Sequence, residues 1–365
     1  MKTSTLLFCI AFLASGILVG TWTNNIAGAQ TAGPTPTPLS TRPALTPTPT
    51  PPLDDPDEII KIDTELVNVN VRVIDRNNRP ISKLTQKDFK ILEDGVVQKI
   101  DFFSEAEVPT NYALVIDNSG SLRQQLDKVI EAGKVFVNTN KPEDETMIIR
   151  FVGRDKIEIE QPFTPKKDDL IDALENLYIE GGQTAVIDAV YLAAENVGAY
   201  EKSNVANDRK RRALILVTDG EDRNSYYNEK QLFELLRESD VQIYVIGFVD
   251  DLSNDGGFIS KSPQAKAKGL LERMATETGG KAYFPKSAAE LPALAREISS
   301  ELRTQYSIGY IPSNDRKDGT YRAIKVAVDD GPGNQKRIAI ARAGRIAEGG
   351  SVQPAGKPTP STRNQ

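Results

Sequence analysis

Five oxygen-bearing side chains recur at a spacing that can hold a hard cation. Asp117, Ser119 and Ser121 alternate in Asp117-Asn118-Ser119-Gly120-Ser121, directly after the apolar run Tyr112-Ala113-Leu114-Val115-Ile116. Thr184 ends the turn Gly181-Gly182-Gln183-Thr184, and Asp219 lies in Thr218-Asp219-Gly220 after the apolar run Ala213-Leu214-Ile215-Leu216-Val217. Two carboxylates and three hydroxyls make an oxygen-only donor set, which selects magnesium, manganese or calcium over zinc. The i, i+2, i+4 spacing suits a loop wrapped around an ion, and Gly120 is expected to let that loop bend tightly. With hydroxyls bound directly and a carboxylate held back behind water, the ion keeps net positive character. An open coordination position would then attract an acidic side chain from a partner, which a fully carboxylate cage would not do.

Little other chemistry is on offer. The chain has no histidine and one cysteine, Cys9, inside an N-terminal apolar stretch expected to be removed. What remains has no thiol and no imidazole, which excludes Cys/His zinc sites, Ser-His-Asp triads, cysteine nucleophiles and disulfides. Hydrolysis by a carboxylate pair or a metal stays open. Acidic residues outnumber basic ones, 51 to 45, and no long basic block occurs, so nucleic acid is not an expected partner.

The elements that must position these residues read as alternating strand and helix. Strands are expected at 111–116, 146–152, 157–163, 213–218, 241–248 and 281–284, and helices at 122–138, 166–177, 184–200, 228–239, 264–277 and 287–303. Helical crossovers imply an α/β fold, a Rossmann-like doubly wound, mainly parallel sheet covered on both faces. Only Gly153-Arg154-Asp155-Lys156 separates the second and third strands, so that pair is expected to be antiparallel. In a sheet of order 3-2-1-4-5-6, strands one and four are neighbours at the switch point, where a crevice opens beyond their C-terminal ends. Asp117 follows strand one and Asp219 follows strand four, while Thr184 opens the helix before strand four.

The flanks differ in character. Residues 1–29 read as a signal peptide, with Lys2, the apolar stretch Leu6 to Val19, and Ala27-Gly28-Ala29 before Gln30. Residues 30–58 read as a Pro/Thr-rich disordered linker, since nine of the 22 prolines fall between Pro34 and Pro56. Residues 59–108 read as β: Val67, Val69, Val71 and Val73 alternate with Asn68, Asn70 and Arg72, and Asp94-Gly95 marks a hairpin turn. Residues 304–344 return to β after the α/β domain at 109–303, with strands expected at Tyr306 to Ile311, Tyr321 to Val328 and Gln335 to Ala341, and 345–365 read as a disordered tail. Neither β segment can build a good core alone, so the two are expected to form one small β-sandwich with the α/β domain inserted between them. No stretch after the leader is long and apolar enough to span a bilayer.

Each motif has a plainer reading. Ser121 and Thr184 can be helix N-caps, and Asp219-Gly220 a turn. All three motifs together, at the right strand ends and in order, favour a metal site. Glu221 and Asp222 read as solvated loop charge, Asp250, Asp251 and Asp255 as a surface loop, and Arg209 to Arg212 as a solvated connection.

Asp117/Ser119/Ser121, Thr184 and Asp219 together resemble the metal-ion-dependent adhesion site of the von Willebrand factor type A domain family, whose Asp-x-Ser-x-Ser, threonine and Thr-Asp-Gly pattern is met without substitution. The flanks, including Leu84-Thr85 with Asp88-Phe89, Glu93-Asp94-Gly95, and Tyr306-Ser307-Ile308-Gly309-Tyr310, resemble those of a group of secreted bacterial proteins with such domains. The resemblance implies a bound divalent cation, magnesium before manganese or calcium, with both serines as direct ligands. Thr184 would join when a partner is engaged, and the two aspartates would act largely through water. It also implies a protein or peptide partner supplying Glu or Asp, and a last helix, 287–303, whose movement could couple site occupancy to the sandwich. The expected function is that of an exported binding or adhesion protein, periplasmic, cell-surface or secreted, and not an enzyme. A metal-stabilised assembly protein of the envelope is the alternative, and a magnesium-dependent hydrolase a further one.

Overall fold

The computed structural model describes residues 66–200, 210–255, 261–347 and 361–362. The expected leader and linker, and Arg209, Gly256 and Gly257, lie outside the described residues. Four strands come first: β1 (Val67–Ile74), β2 (Phe89–Glu93), β3 (Val96–Gln98) and β4 (Ile100–Ser104). The alternating part follows as β5 (Thr110–Asp117), α1 (Leu126–Thr139), β6 (Glu145–Phe151), β7 (Ile157–Thr164), α2 (Lys167–Glu175) and α3 (Val186–Ala199). It continues through β8 (Arg211–Thr218), α4 (Glu229–Glu238), β9 (Gln242–Gly247), α5 (Pro263–Thr278), β10 (Ala282–Tyr283) and α6 (Leu291–Arg303). The chain returns to strand in β11 (Tyr306–Tyr310), β12 (Tyr321–Val328), β13 (Ile338–Ile340), β14 (Gly344–Ile346) and β15 (Ser361–Thr362).

The central sheet has the order β10-β9-β8-β5-β6-β7-β15. Read from β7 to β10 this is the 3-2-1-4-5-6 arrangement, so β5 and β8 are neighbours. Only β6 and β7 run antiparallel, joined by a tight turn in which Lys156 N donates to Gly153 O at 2.9 Å. The period of two in β5 divides its side chains between two cores. Tyr112, Leu114 and Ile116 pack among α1, α2 and α6, against Phe136, Leu174 and Ile298. Ala113 and Val115 pack on the other face among α3, α4 and α5, against Val190, Phe233 and Leu271. Each fully buried aliphatic side chain of this kind contributes roughly 1.5–3 kcal/mol by leaving water.

The flanking strands form two antiparallel sheets, β13-β1-β11-β4 and β14-β12-β2-β3. Each sheet draws strands from both sides of the α/β part: β1 pairs with β11, and β2 with β12. Val69 and Val71 of β1, Ile91 of β2, Tyr306 and Ile308 of β11 and Ile324 of β12 share one core between the sheets. Asp94 and Gly95 both have positive φ, 49° and 81°, which is the hairpin turn expected from Asp-Gly. Three strands are not anticipated by the sequence. β4 is short and mixed in character, β14 falls where the tail was expected to begin, held by buried Arg345 donating to Glu93 Oε2 at 3.0 Å, and β15 lies within the expected tail and pairs parallel with β7.

The surface reading of the basic run fails. Arg211 and Arg212 are buried, 3% and 8% exposed. Arg211 donates to the carbonyls of Leu302 and Gln305, at the C-terminal end of α6 where helix carbonyls lack partners. Arg212 reaches Asp240 at 3.0 Å. Arg72, expected to alternate outward, is buried as well and pairs with Glu301 of α6, joining the sandwich to the α/β part. A guanidinium can be buried where a carboxylate or helix end receives it, and sequence periodicity does not show such partners. No described helix is long and apolar enough to cross a membrane.

Candidate metal centre

The C-terminal ends of β5 and β8 deliver Asp117 and Asp219 to the same crevice. Asp117, Ser119, Thr184 and Asp219 are all buried, while Ser121 is exposed. Ser119 Oγ and Ser121 Oγ lie 2.9 Å apart, and Ser119 N donates to Asp117 Oδ1 at 2.9 Å. The first motif is therefore a closed turn with its two hydroxyls side by side.

Backbone bonds bring the Thr184 turn to this point. Glu180 N donates to Asn118 O at 2.8 Å, and Ala185 N donates to Val152 O at 2.9 Å. From the β8 side, Arg223 N donates to Thr184 O at 2.9 Å and Asn224 N donates to the same oxygen at 3.2 Å. Thr184 is thus stitched between the loops that follow β5, β6 and β8.

Glycine is needed at one end of the site and not at the other. Gly220 has φ +79°, and a Cβ there would lie 2.6 Å from Leu271 Cδ1. Both the left-handed backbone and the packing of α5 exclude a side chain. Gly120, expected to permit a tight bend, has no positive φ and nothing within 4 Å of where a Cβ would stand. The 3₁₀ turn at Gly120–Leu122 has ordinary backbone geometry, so the bend requires no glycine there.

Three supporting residues were not read from the sequence as parts of the site. Thr218 Oγ1 donates to Asp117 Oδ2 at 2.7 Å and accepts from Gly220 N at 3.0 Å, linking the two aspartate motifs. Asp188 of α3, wholly buried, accepts from Tyr226 N at 2.7 Å and Tyr227 N at 2.9 Å. Asp222, expected to be solvated, accepts from Ile187 N at 3.1 Å and Ser225 Oγ at 2.6 Å. Asp188 and Asp222 tie the loop after β8 to the start of α3. A strand-end Thr-Asp and an Asp in the first turn of α3 were the available signals.

The electrostatics are unbalanced. Burial pushes the Asp117 carboxyl up to about 6, the nearby charge of Asp219 adds to that rise, and hydrogen bonds from Thr218 and Ser119 oppose it. Both aspartates accept from amides or hydroxyls, and among the described residues no lysine or arginine pairs with either. Asp250, Asp251 and Asp255 form no comparable centre: no group of three or more carboxylate, imidazole or thiol ligands is found among the described residues.

A family model described as von Willebrand factor type A domain matches residues 111–297. The chain belongs to the von Willebrand factor type A domain family. An uncharacterized protein of Synechocystis sp. is 25% identical over 208 residues, covering 56% of this chain and 46% of that protein. This chain therefore spans less than half the length of that curated relative. An aerotolerance-related membrane protein from Bacteroides fragilis is 21% identical, covers 53% of this chain and 98% of its own, and superposes with a TM-score of 0.40. Proximal thread matrix protein 1 from the mussel byssus, solved with a zinc-occupied MIDAS motif, is 19% identical over 54% of this chain and 48% of its own, with a TM-score of 0.42.

Von Willebrand factor type A domains generally bind a divalent cation at such a motif, and the residues present fit one. Two buried carboxylates lacking a basic partner are costly unless a cation compensates them. The Ser119 and Ser121 hydroxyls, already adjacent, supply neutral oxygen donors beside them. Ser119, Ser121, Thr184, Asp117 and Asp219 would hold the ion, whose chemistry there is that of a Lewis acid with positive charge to share.

Proposed function

We propose that this chain is an exported binding protein whose von Willebrand factor type A domain captures a protein or peptide partner through a divalent cation and an acidic side chain of that partner. One observation carries the reading: Asp117 and Asp219 stand buried together, beside serine and threonine hydroxyls, and no basic side chain among the described residues pairs with them. A cation held mostly by neutral hydroxyls keeps positive charge and favours a carboxylate as its last ligand. Magnesium suits the all-oxygen donor set, with manganese and calcium as alternatives. Binding rather than catalysis follows from the same composition, because a phosphoryl-transfer site adds a lysine or a second acidic cluster at the crevice. Export rests on the leader-like residues at 1–29, and the periplasm, the cell surface and the medium are all compatible with it.

The test is calorimetric titration of magnesium, manganese and calcium into the full chain, repeated with Asp117→Ala and with Ser119→Ala/Ser121→Ala. Saturable binding that disappears in both variants is the expected result. Equal binding by wild type and variants would sink the assignment of the site. Chelation should then abolish capture of glutamate-bearing peptides. If it lowers only thermal stability, the ion has a structural role instead.

A further inference from the structure

On the loop that accepts a hydrogen bond from the first cation motif, an aromatic ring is held out to solvent. Tyr178 lies in the loop between α2 and α3, and it is 42% exposed although it is a large hydrophobic side chain. Its backbone oxygen accepts from Asn118 Nδ2 at 2.8 Å, and Asn118 stands between Asp117 and Ser119 in the first motif. Its ring is clamped by Arg150. The Arg150 guanidinium sits 4.5 Å from the ring centroid, and its Nη2 donates to the Tyr178 hydroxyl at 2.8 Å.

The clamp is not needed to neutralise Arg150. That side chain, 3% exposed, already pairs with Glu158, Glu160 and Glu180. Glu180 is itself fixed by Lys156 and by its own amide, which donates to Asn118 O at 2.8 Å. The arrangement therefore spends a buried arginine, three carboxylates and an asparagine of the cation motif on fixing one exposed tyrosine. A ring immobilised before binding loses little entropy on contact, and rigid tyrosines at a site's edge are frequent centres of binding energy.

We infer that Tyr178 is the specificity-determining contact of the cation site: it receives an apolar or aromatic side chain close in sequence to the acidic residue that completes the ion's coordination. The inference rests on the reading given under Proposed function. The partner segment then carries two anchors, a carboxylate for the ion and a hydrophobic side chain for Tyr178, joined by Asn118 beneath them. The ring sits on the same loop as Thr184, between α2 and α3.

The test uses the full chain in magnesium. Peptides with one fixed glutamate and randomised neighbours are selected for binding, and their affinities are measured on wild type, Tyr178→Ala, Tyr178→Phe and, as a remote control, Tyr321→Ala. The expected outcome is enrichment of aromatic or apolar residues at a constant offset from the glutamate. Tyr178→Ala should weaken the selected peptides by about tenfold or more, with magnesium affinity unchanged. Tyr178→Phe, which keeps the ring over Arg150, should retain most of the affinity, and Tyr321→Ala all of it. Selected peptides with no preference at any offset, or with equal affinity for Tyr178→Ala, would overturn the inference and leave the cation reading standing. Failure of magnesium to bind wild type would overturn both. Magnesium binding with no peptide recovered would remove partner capture, and the inference with it.

Discussion

Cation affinity should fall steeply with pH at an unusually high value, because Asp117 must be ionised to serve the site. Its carboxyl is pushed up to about 6 from the ordinary 3.8 of an aspartate, mainly by burial. For a ligand that requires the ionised form, the observed association constant scales with the ionised fraction. A group titrating near 6 leaves about one-tenth of the affinity at pH 5, whereas one titrating near 3.8 would leave almost all of it. The sign for stability runs the other way. A folded value raised above the unfolded one means that the metal-free protein gains most from this group below about pH 4. It loses that contribution as pH rises through about 6, roughly 3 kcal/mol at 1.36 kcal/mol per unit. A bound cation offsets the loss, so the gain in melting temperature on adding magnesium should grow between pH 5 and pH 7.5. The assay is calorimetry at pH 5, 6 and 7.5 in buffers of different ionisation enthalpy, paired with thermal melts. Near pH 6 about half a proton should be released per ion bound. Affinity that stays flat down to pH 5, with no proton release near pH 6, would refute the claim that burial governs this carboxyl.

Gly220→Ala should destabilise the fold by roughly 2–4 kcal/mol, from the left-handed φ and the clash with Leu271, whereas Gly120→Ala should leave the denaturant midpoint unchanged. Asp188→Ala should strand the Tyr226 and Tyr227 amides at about 1–3 kcal/mol. Magnesium affinity should drop with it, read by calorimetry below the variant's melting temperature. Glu301→Ala should cost about 3–5 kcal/mol in urea unfolding by leaving the Arg72 charge buried and unpaired, while the double change Arg72→Met/Glu301→Leu should cost much less.

The parts legible in the sequence were those written in local periodicity. Val67, Val69, Val71 and Val73 announce a strand with one buried face, and the runs before Asp117 and Asp219 announce two buried strands of a parallel sheet. The pairing of the β flanks followed from size alone, and the registers of β1 with β11 and of β2 with β12 are those of one shared sandwich. What periodicity could not show was long-range charge placement. Arg72, Arg211 and Arg212 look like surface residues until Glu301, the end of α6 and Asp240 arrive from far along the chain. Asp188 and Asp222 hid for the same reason: their partners are backbone amides and a hydroxyl in loops fixed only by the fold. Gly120 misled in the other direction, because a glycine in a tight-looking motif suggests a strained bend that is absent.

The junction between the two β-sheets and the α/β part bears on how occupancy of the crevice could be transmitted. Movement of α6 along the sheet was the expected route, since α6 leads straight into β11. The end of α6 is tied at several points. Arg211 caps the Leu302 carbonyl, Arg303 reaches Thr139 O at 2.8 Å and Asp144 at 2.7 Å, and Glu301 pairs with Arg72 and Lys281. A one-turn slide would break the Arg72–Glu301 pair and uncap the helix. The first of these alone costs about 3–5 kcal/mol if the charges stay buried. Shifting an equilibrium from 1:99 to 99:1 takes about 5.5 kcal/mol of differential binding, and the broken junction would add to that requirement. A partner that contributes one carboxylate and one hydrophobic contact has little to spare for both. The construction therefore favours a domain that binds with its last helix in place. Through the Arg72–Glu301 pair the sandwich would then serve as a fixed mount for that helix.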